Sequence, residues 1–379
     1  MDIKITPVKS KRDLTEFVKL PFAIHANNPL WTPQLKKAEA ELLTPGKHPF
    51  WESASRELFL AELNGKPAGR IAAIVDDKYN AYSNEQAGAF GFFECVEERE
   101  VAGALIDRAA EWLAQRGLDH MRGPLNPSAN YTCGMLASGF EQAPAIMMPW
   151  NPPYYPYFME ACGLRKEQDL FAYVIDRSDL TLKPELQAEA ARLKALGRFS
   201  CRPASAATLQ ADIHAMLDIY RLAWADNWGF SPLSPAEADR HVRELKDVVD
   251  PDFFVLFFEG EKPVAGMVAL PDLSPLLRRL NGALSLTAPW HFWRSRREIK
   301  AGARIMLFGI LPEYRLQGLP LLLLDYILAK AARRPALQWV EGSWILEDNL
   351  AMNELMEDFS GRLLKRYRIY RKEIGPCQA

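Results

Sequence analysis

In "FLAELNGKPAGRIAAI" (59–74) two mainly apolar stretches, interrupted by single polar residues, flank an Asn-Gly-Lys-Pro turn. The pattern predicts two strands of a tight hairpin. It returns in "FVLFFEGEKPVAGMVAL" (254–270), where Gly266 lies 197 positions after Gly69. Other pairs follow in the same order. "NNPLWTPQL" (27–35) answers "DNWGFSPLS" (226–234) at an offset of 199. "GFFECVEEREVAGALIDRAAEWLAQRG", from Gly91, answers "GILPEYRLQGLPLLLLDYILAKAARR", from Gly309, at 218. "LDHMRGPL" (118–125) answers "LQWVEGSW" (337–344) at 219, and Gly163 and Gly361 return to 198. Ordered repetition with nearly cancelling insertions predicts two copies of one domain, 1–177 and 178–379, joined near "DRSDLTLKP".

Each copy reads as a strand, one or two helices, a hairpin, a strand, a long helix, a strand, a short helix and a closing strand. "LSPAEADRHVRELK" marks one helix start, with Ser234 as cap, Pro235 at the first position and Glu237 completing a capping box. Trp224 falls at helical spacing from Tyr220 as a core residue. This order predicts an α/β (α+β) domain, a mixed, mainly antiparallel sheet with helices on both faces.

Composition narrows the function. Half of the 379 residues are apolar and a quarter charged, and the formal net charge of −2 gives no electrostatic case for nucleic acid. The longest apolar run, "LPLLLLDYILA" (319–329), is too short to span a bilayer, and "MDIKITPVKSKRD" has no signal-peptide core. Five scattered cysteines (Cys95, Cys133, Cys162, Cys201 and Cys377) form no CxxC pair, and the six histidines form no cluster, so no metal site is expected and the compartment reads as a reducing cytoplasm. His120, on a strand, reads as core.

Candidate chemistry concentrates at "GILPEYRLQGLPLLLLDYILAKA" (309–331), an apolar strand end, a turn with Arg315 and Gly318, and a leucine-rich helix. A helix start attracts phosphate through its unpaired N–H groups and dipole, and glycine lets backbone approach a ligand. The order Arg-x-x-Gly after a strand and before a long helix resembles the pyrophosphate loop of the GNAT superfamily of acyl-coenzyme A-dependent acyltransferases. "SWILEDNLAMNELMEDFSGRLLKRYRIYRKE" (343–373) is similar to that family's next strand, asparagine-bearing turn, last helix and closing strand, so the likeness covers most of 198–373.

The resemblance implies two tandem GNAT-like domains and an acyl transfer from acetyl-CoA or another acyl-CoA to a small-molecule amine or peptide acceptor. It also implies strands that splay apart to admit the pantetheine arm. Gly309, Ile310 and Leu311 would pair with its amides, and Asn349 would contact it. The amides of Leu316, Gln317, Gly318 and Leu319, with Arg315, would face the diphosphate. Asp226, Asn227, Trp228 and Trp344 would line the acceptor side, with Glu347 or Asp348 as base. Two positions depart from the family. Pro320 stands where a small residue is usual, at a cost of at most one donor. Met356 stands seven residues after Asn349, where a proton-donating tyrosine is common, which leaves Tyr367 (or Tyr370) as the hydroxyl for the leaving thiolate. The departures keep a second reading open, a GNAT-like binding or regulatory protein without catalysis. Transfer from a long-chain or carrier-protein thioester is a third.

The first copy reads as disarmed. Glu94, Glu97, Glu98 and Glu100 crowd its equivalent turn against Arg99 alone, and Ala102 is the nearest substitute for a glycine. Its insertion (126–158) offers Asn126, Asn130, Tyr131 and Glu141 as polar groups and Tyr154, Tyr155, Tyr157 and Phe158 as a wall, for an acceptor pocket or for packing. The second copy's insertion (274–300) carries Arg278, Arg279, Arg294, Arg296, Arg297 and Lys300 among Trp290, Phe292 and Trp293. That mixture suits a membrane surface, an acyl carrier or the adenosine 3′-phosphate of coenzyme A.

Overall fold

A computed structural model describes residues 1–180, 182–246, 248–359 and 361–375. Cys377 lies outside them. In chain order the first half runs β1 (Ile3–Pro7), α1 (Lys11–Ile24), α2 (Lys36–Leu42), β2 (Ala54–Leu63), β3 (Lys66–Asp76), α3 (Asp77–Ser83), β4 (Ala87–Cys95), α4 (Arg99–Ala114), β5 (His120–Gly123), β6 (Leu125–Asn126), β7 (Thr132–Cys133), β8 (Met135–Ser138), α5 (Tyr154–Ala161) and β9 (Arg165–Asp176). The second half runs α6 (Pro184–Ala195), β10 (Ser200–Pro203), α7 (Leu209–Ala223), α8 (Pro235–Leu245), β11 (Phe254–Glu259), β12 (Lys262–Pro271), α9 (Ser274–Leu280), α10 (Ala288–Ile299), β13 (Gly302–Ile310), α11 (Leu319–Ala332), β14 (Trp339–Leu346), α12 (Leu350–Asp358) and β15 (Arg362–Glu373).

The fold is the twice-used α/β scheme that the repetition predicts, but the units are not the two halves of the chain. One compact unit holds 1–170 with 276–292 and 365–379, and the other holds 171–275 with 293–364. A boundary at 177/178 separates the copies in chain order only, because each copy's closing strand joins the other unit. Residues 365–373 of β15 complete the first unit's sheet, with Tyr370 opposite Gly123 and Glu373 opposite His120. Residues 171–176 of β9 belong to the second unit, whose β14 neighbours β9.

Both units repeat one scheme, an antiparallel run of strands that turns parallel at β4/β5 and at β13/β14. The first hairpin turns on Asn64 and Gly65, both at positive φ, the geometry that Asn-Gly favours. Both hairpins carry a bulge next to the turn, between Ala61/Glu62 and between Phe257/Phe258. Lys66 pairs with Leu63 as Lys262 pairs with Glu259, so the structural offset is 196 and Gly69 corresponds to Ala265 rather than to Gly266. Gly91 and Gly309 are likewise not equivalents. Cys95 pairs with Gly69 and Ile310 with Ala265, which makes Cys95 the counterpart of Ile310.

Packing explains why the strands hold glycine. A Cβ on Gly266 would stand 2.7 Å from the Met216 sulfur, and one on Gly309 would stand 2.9 Å from Ile219. Helix α7 therefore lies directly on β12 and β13. The capping box of Ser234 and Glu237 forms as the sequence requires, with the Glu237 amide donating to the Ser234 Oγ at 3.2 Å. Met356 is buried on α12 and reaches toward Gly342 of β14, which makes it a core residue.

Candidate functional site

Strands β13 and β14 pair only from Gly302↔Trp339 to Ile305↔Gly342 and then part, although β13 continues to Ile310 and β14 to Leu346. The parting starts at a bulge, because the β12 register passes from Val268↔Leu307 to Ala269↔Ile305 and leaves Met306 without a partner residue. A bulged strand bends away from its neighbour. That produces a gap where the family resemblance implies one.

Backbone alternation decides which groups face the gap. The Leu311 amide donates to the Val264 carbonyl at 3.0 Å, so it is turned toward β12. Gly309, two residues earlier, is turned the same way, and the groups of Ile310 and Phe308 point to the open side. Of the three residues expected to meet a pantetheine arm, Ile310 alone presents its backbone there, and Phe308 joins it.

Beyond β13, eight residues (311–318) lead to α11. Gly318 caps the helix at φ 81, a conformation glycine adopts without strain. Its missing side chain faces α6, where a Cβ would stand 2.5 Å from a Leu193 methyl. Glycine here serves the turn and the α6 contact, a different reason from the close ligand approach expected. Leu319 occupies the first helical position with its side chain fully buried, and Pro320 the second. The amides of the first turn have no acceptor within the helix. The Gln317 amide is the exception among the expected donors, since the Tyr314 carbonyl takes it at 3.2 Å. Pro320 withholds one further donor. Pro320→Ala is therefore expected to tighten acyl-thioester binding about 10- to 100-fold, the worth of one added hydrogen bond to a charged group. Calorimetric titration of both proteins with an acyl-CoA measures it, and equal affinities would show that the helix start does not meet the ligand.

Three contacts hold this loop, and no local sequence signal announced them. The Arg315 guanidinium donates to the Ala223 carbonyl at 2.6 Å, which ties the turn to the C-terminal end of α7. The Tyr314 hydroxyl donates to Glu259 at 2.6 Å, and Lys262 meets Glu313 at 3.2 Å. The Tyr314 hydroxyl and the Arg198 guanidinium hold the Glu259 carboxyl below the usual carboxylate range. The "EGEKP" turn thus brackets the loop. Through Ala223, the turn that follows α7, with Asp226, Asn227 and Trp228, comes to the same end of the unit. Trp224 is half-buried there, 4.9 Å from the Tyr220 ring.

Along β14, Trp344 lies half-buried past the last pair with β13, and its indole Nε1–H has no hydrogen-bond partner. Beneath it lies a buried polar group that the sequence reading missed. Arg304 donates to the Ser343 hydroxyl at 2.9 Å and to the Ser343 carbonyl at 3.1 Å, and its guanidinium lies 5.1 Å from the Trp344 ring centroid. The Ser343 hydroxyl donates to Glu341 at 2.8 Å. These residues sit one strand apart in parallel register, which only the fold reveals. Asn349 caps α12 by accepting the Met352 amide at 3.2 Å, so its Oδ1 is engaged in the helix start. Glu347 and Asp348 form the turn between β14 and that cap. Tyr367 does not belong here. It is fully buried in the first unit, opposite Leu136 of β8, and a Cβ on Gly134 would stand 3.0 Å from it. Tyr370 is fully buried in the same unit.

The first unit parts its strands too, since β4 and β5 pair only from Ala87↔His120 to Ala89↔Arg122. Its own chain then fills the space. The Phe92 amide donates to Asn126 Oδ1 at 2.6 Å, and a Cβ on Gly91 would stand 1.8 Å from the Leu125 carbonyl oxygen. Only residues 96–98 join β4 to α4, too few for an anion-cradling loop, and Ala102 is buried inside the helix. Glu94 belongs to β4 rather than to the turn, and it pairs with His25 at 2.7 Å and accepts from Tyr155 at 2.8 Å. Burial pushes its carboxyl up, but the His25 imidazole, with Arg70 and the Tyr155 hydroxyl, holds it below the usual range. Tyr155 and Phe158 are core with Tyr154 packed against it, so most of the expected aromatic wall is packing within this unit, and Tyr131, expected as a polar group, packs on His48 and Phe50. His120 meets Arg122 at 2.7 Å, and burial followed by that guanidinium lowers its basicity.

Among the described residues no three His, Cys, Asp or Glu side chains gather to hold a metal, and no helix is long and apolar enough to cross a membrane. No known family profile matches the sequence. The chain is 32% identical over 382 residues to the bacterial ceramide synthase of Caulobacter vibrioides, with 98% of each chain covered. It is 29% identical over 371 residues to Protein YghO of Escherichia coli, covering 96% of this chain and 94% of that one. A tandem GNAT protein from the clavulanic acid biosynthesis pathway superposes over the whole of both chains, with a TM-score of 0.57 at 12% identity.

Proposed function

This chain belongs to the family of the bacterial ceramide synthase, with a GNAT-like acyltransferase fold, and from that premise we propose that it transfers a long acyl group from a thioester to the amino group of a lipid-like amine. The observation that carries the proposal is the gap beyond Ile305 and Gly342, open at the end where the α11 N-terminus lies. The donor is an acyl-CoA or a carrier-bound acyl group, whose pantetheine arm enters between β13 and β14. Its phosphates meet the amides of Leu316, Gly318 and Leu319, with Arg315 holding the turn in place. The relative's name is that of an enzyme making ceramide, and that suggests a long-chain base as the acceptor here.

In the reaction the neutral amine attacks the thioester carbonyl carbon. The C–N bond forms, the C–S bond breaks, and the sulfur leaves as a thiolate. The Ile310 amide, on the open side of β13, is the backbone donor for the oxygen that gains charge. The Trp344 indole N–H is a second. Glu347 is the proposed base that takes the ammonium proton before attack, and the turn of Asp226, Asn227 and Trp228 borders the amine's approach. The attacking nitrogen loses its second proton to water, and because Met356 and Tyr367 are both fully buried, water also protonates the thiolate.

Met356 also favours a second reading, a protein that binds the thioester and transfers nothing. One assay separates the two. The protein is mixed with acyl-CoAs of graded length and a long-chain amine, thiol release is followed, and the amide is weighed by mass spectrometry. Amide formation that needs both substrates and improves with chain length supports transfer. Thioester binding without amide from any pair leaves the binding reading.

A further inference from the structure

We propose that α10 docks the protein onto an anionic lipid surface. The helix presents its two faces in an unusual way. Ala288, His291, Ser295 and Ile299, spaced three and four apart, form the covered side, and Ser295 and Ile299 are buried. The opposite side carries Trp290, Trp293 and Arg297, with Arg294 and Lys300 beside them. Trp290 is 56% exposed, Phe292 55% and Trp293 53%, so the larger apolar groups face outward and a serine faces in. Just ahead of the helix, Leu284 and Leu286 are exposed at 72% and 102%. A water-soluble helix places these residues the other way round.

The segment is fastened at its base and displayed at its tip. Arg278 donates to the Thr32 hydroxyl at 3.0 Å, and the Lys36 amide donates to the Gly282 carbonyl at 2.9 Å. A Cβ on Gly282 would stand 2.4 Å from Phe22, so the turn before the tip is packed against α1 within the first unit. Arg278 thereby leaves the basic set that the sequence grouped together and becomes an anchor.

Charge selects the occupant. Residues 288–300 hold four basic side chains (Arg294, Arg296, Arg297 and Lys300) against Glu298, in a chain whose net charge is −2. Arg296 lies over the Trp293 ring at 4.4 Å, which keeps a cation and an indole at one level. Indoles settle at the boundary between headgroups and acyl chains, and guanidinium groups beside them meet lipid phosphates. A convex helix face of this kind offers no groove for a peptide, but it fits the plane of a bilayer.

The test uses the full chain, without acyl donor or acceptor, so its result does not depend on the proposed activity. The protein is sedimented with vesicles of phosphatidylcholine alone and with vesicles containing phosphatidylglycerol. Binding to the anionic vesicles that weakens with added salt is expected. Trp290→Glu with Trp293→Glu should lower the bound fraction about tenfold with an unchanged melting curve, since both positions are exposed. Arg294→Glu with Arg297→Glu should act in the same direction. No sedimentation of the wild-type protein overturns the proposal, as does binding that the tryptophan pair leaves intact. Retention by an acyl carrier protein but not by vesicles also overturns it, and assigns the face to a protein partner.

Discussion

Arg315→Glu is expected to lower affinity for an acyl-thioester about 10- to 100-fold. Two effects add. The guanidinium that donates to the Ala223 carbonyl at 2.6 Å disappears, and a carboxylate cannot replace it, because two oxygens without a hydrogen cannot bond a carbonyl. The turn then loses its tie to α7. A negative charge also takes its place beside the proposed diphosphate and the carbonyls that end α7, where the helix dipole is already negative. Loss of a charged hydrogen bond costs roughly 1.5–3 kcal/mol, and each 1.4 kcal/mol is about tenfold in affinity. Calorimetric titration with an acyl-CoA reads the change, and Arg315→Lys, which keeps charge without the planar fork, should fall between. A reversal that leaves affinity within twofold or so would remove Arg315 from the donor site.

Arg304→Ala should destabilise the second unit by about 3–5 kcal/mol, the usual cost of removing one partner from a buried charged group. Arg304 is 2% exposed, Glu341 1% and Ser343 5%, so solvent cannot take over the lost contacts. The substitution empties the space under the Trp344 ring and strips both Ser343 bonds. Glu341 keeps the Ser343 hydroxyl as its donor but loses the neighbouring guanidinium in register with it. Urea unfolding, followed by far-ultraviolet circular dichroism, would show the shift. A cost under about 1 kcal/mol would mean that the network is wetter and looser than its burial suggests.

The gap between β13 and β14 was legible in the sequence only through resemblance. The hairpins, the long helices and the capped start of α8 follow from local rules, and "NGKP" and "LSPAE" needed no tertiary information. The site residues fared differently according to what sets their direction. Gly318 and Arg315 sit in the turn where the pattern placed them. Leu311 does not face the gap, because strand alternation turns its amide to Val264. Asn349 caps a helix, and Tyr367 lies in the first unit's core. The Arg304–Ser343–Glu341 group escaped notice because its members are 39 and 2 residues apart in the chain and meet only across a parallel pair.

The sequence by itself determined that one α/β scheme is used twice, that the second copy carries the glycine-bearing turn, and that acids replace it in the first. Those are properties of periodicity, turn chemistry and charge, all local in the chain. Tertiary structure alone decided that the two copies trade closing strands, since β5 takes β15 and β14 takes β9 by backbone hydrogen bonds that carry no residue identity. It also decided that the first gap is filled. Asn126 looks like any loop asparagine until β6 folds back and its Oδ1 takes the Phe92 amide. An unpaired backbone donor accepts whatever oxygen the fold delivers to it, and the chain offers no advance notice of which one that will be.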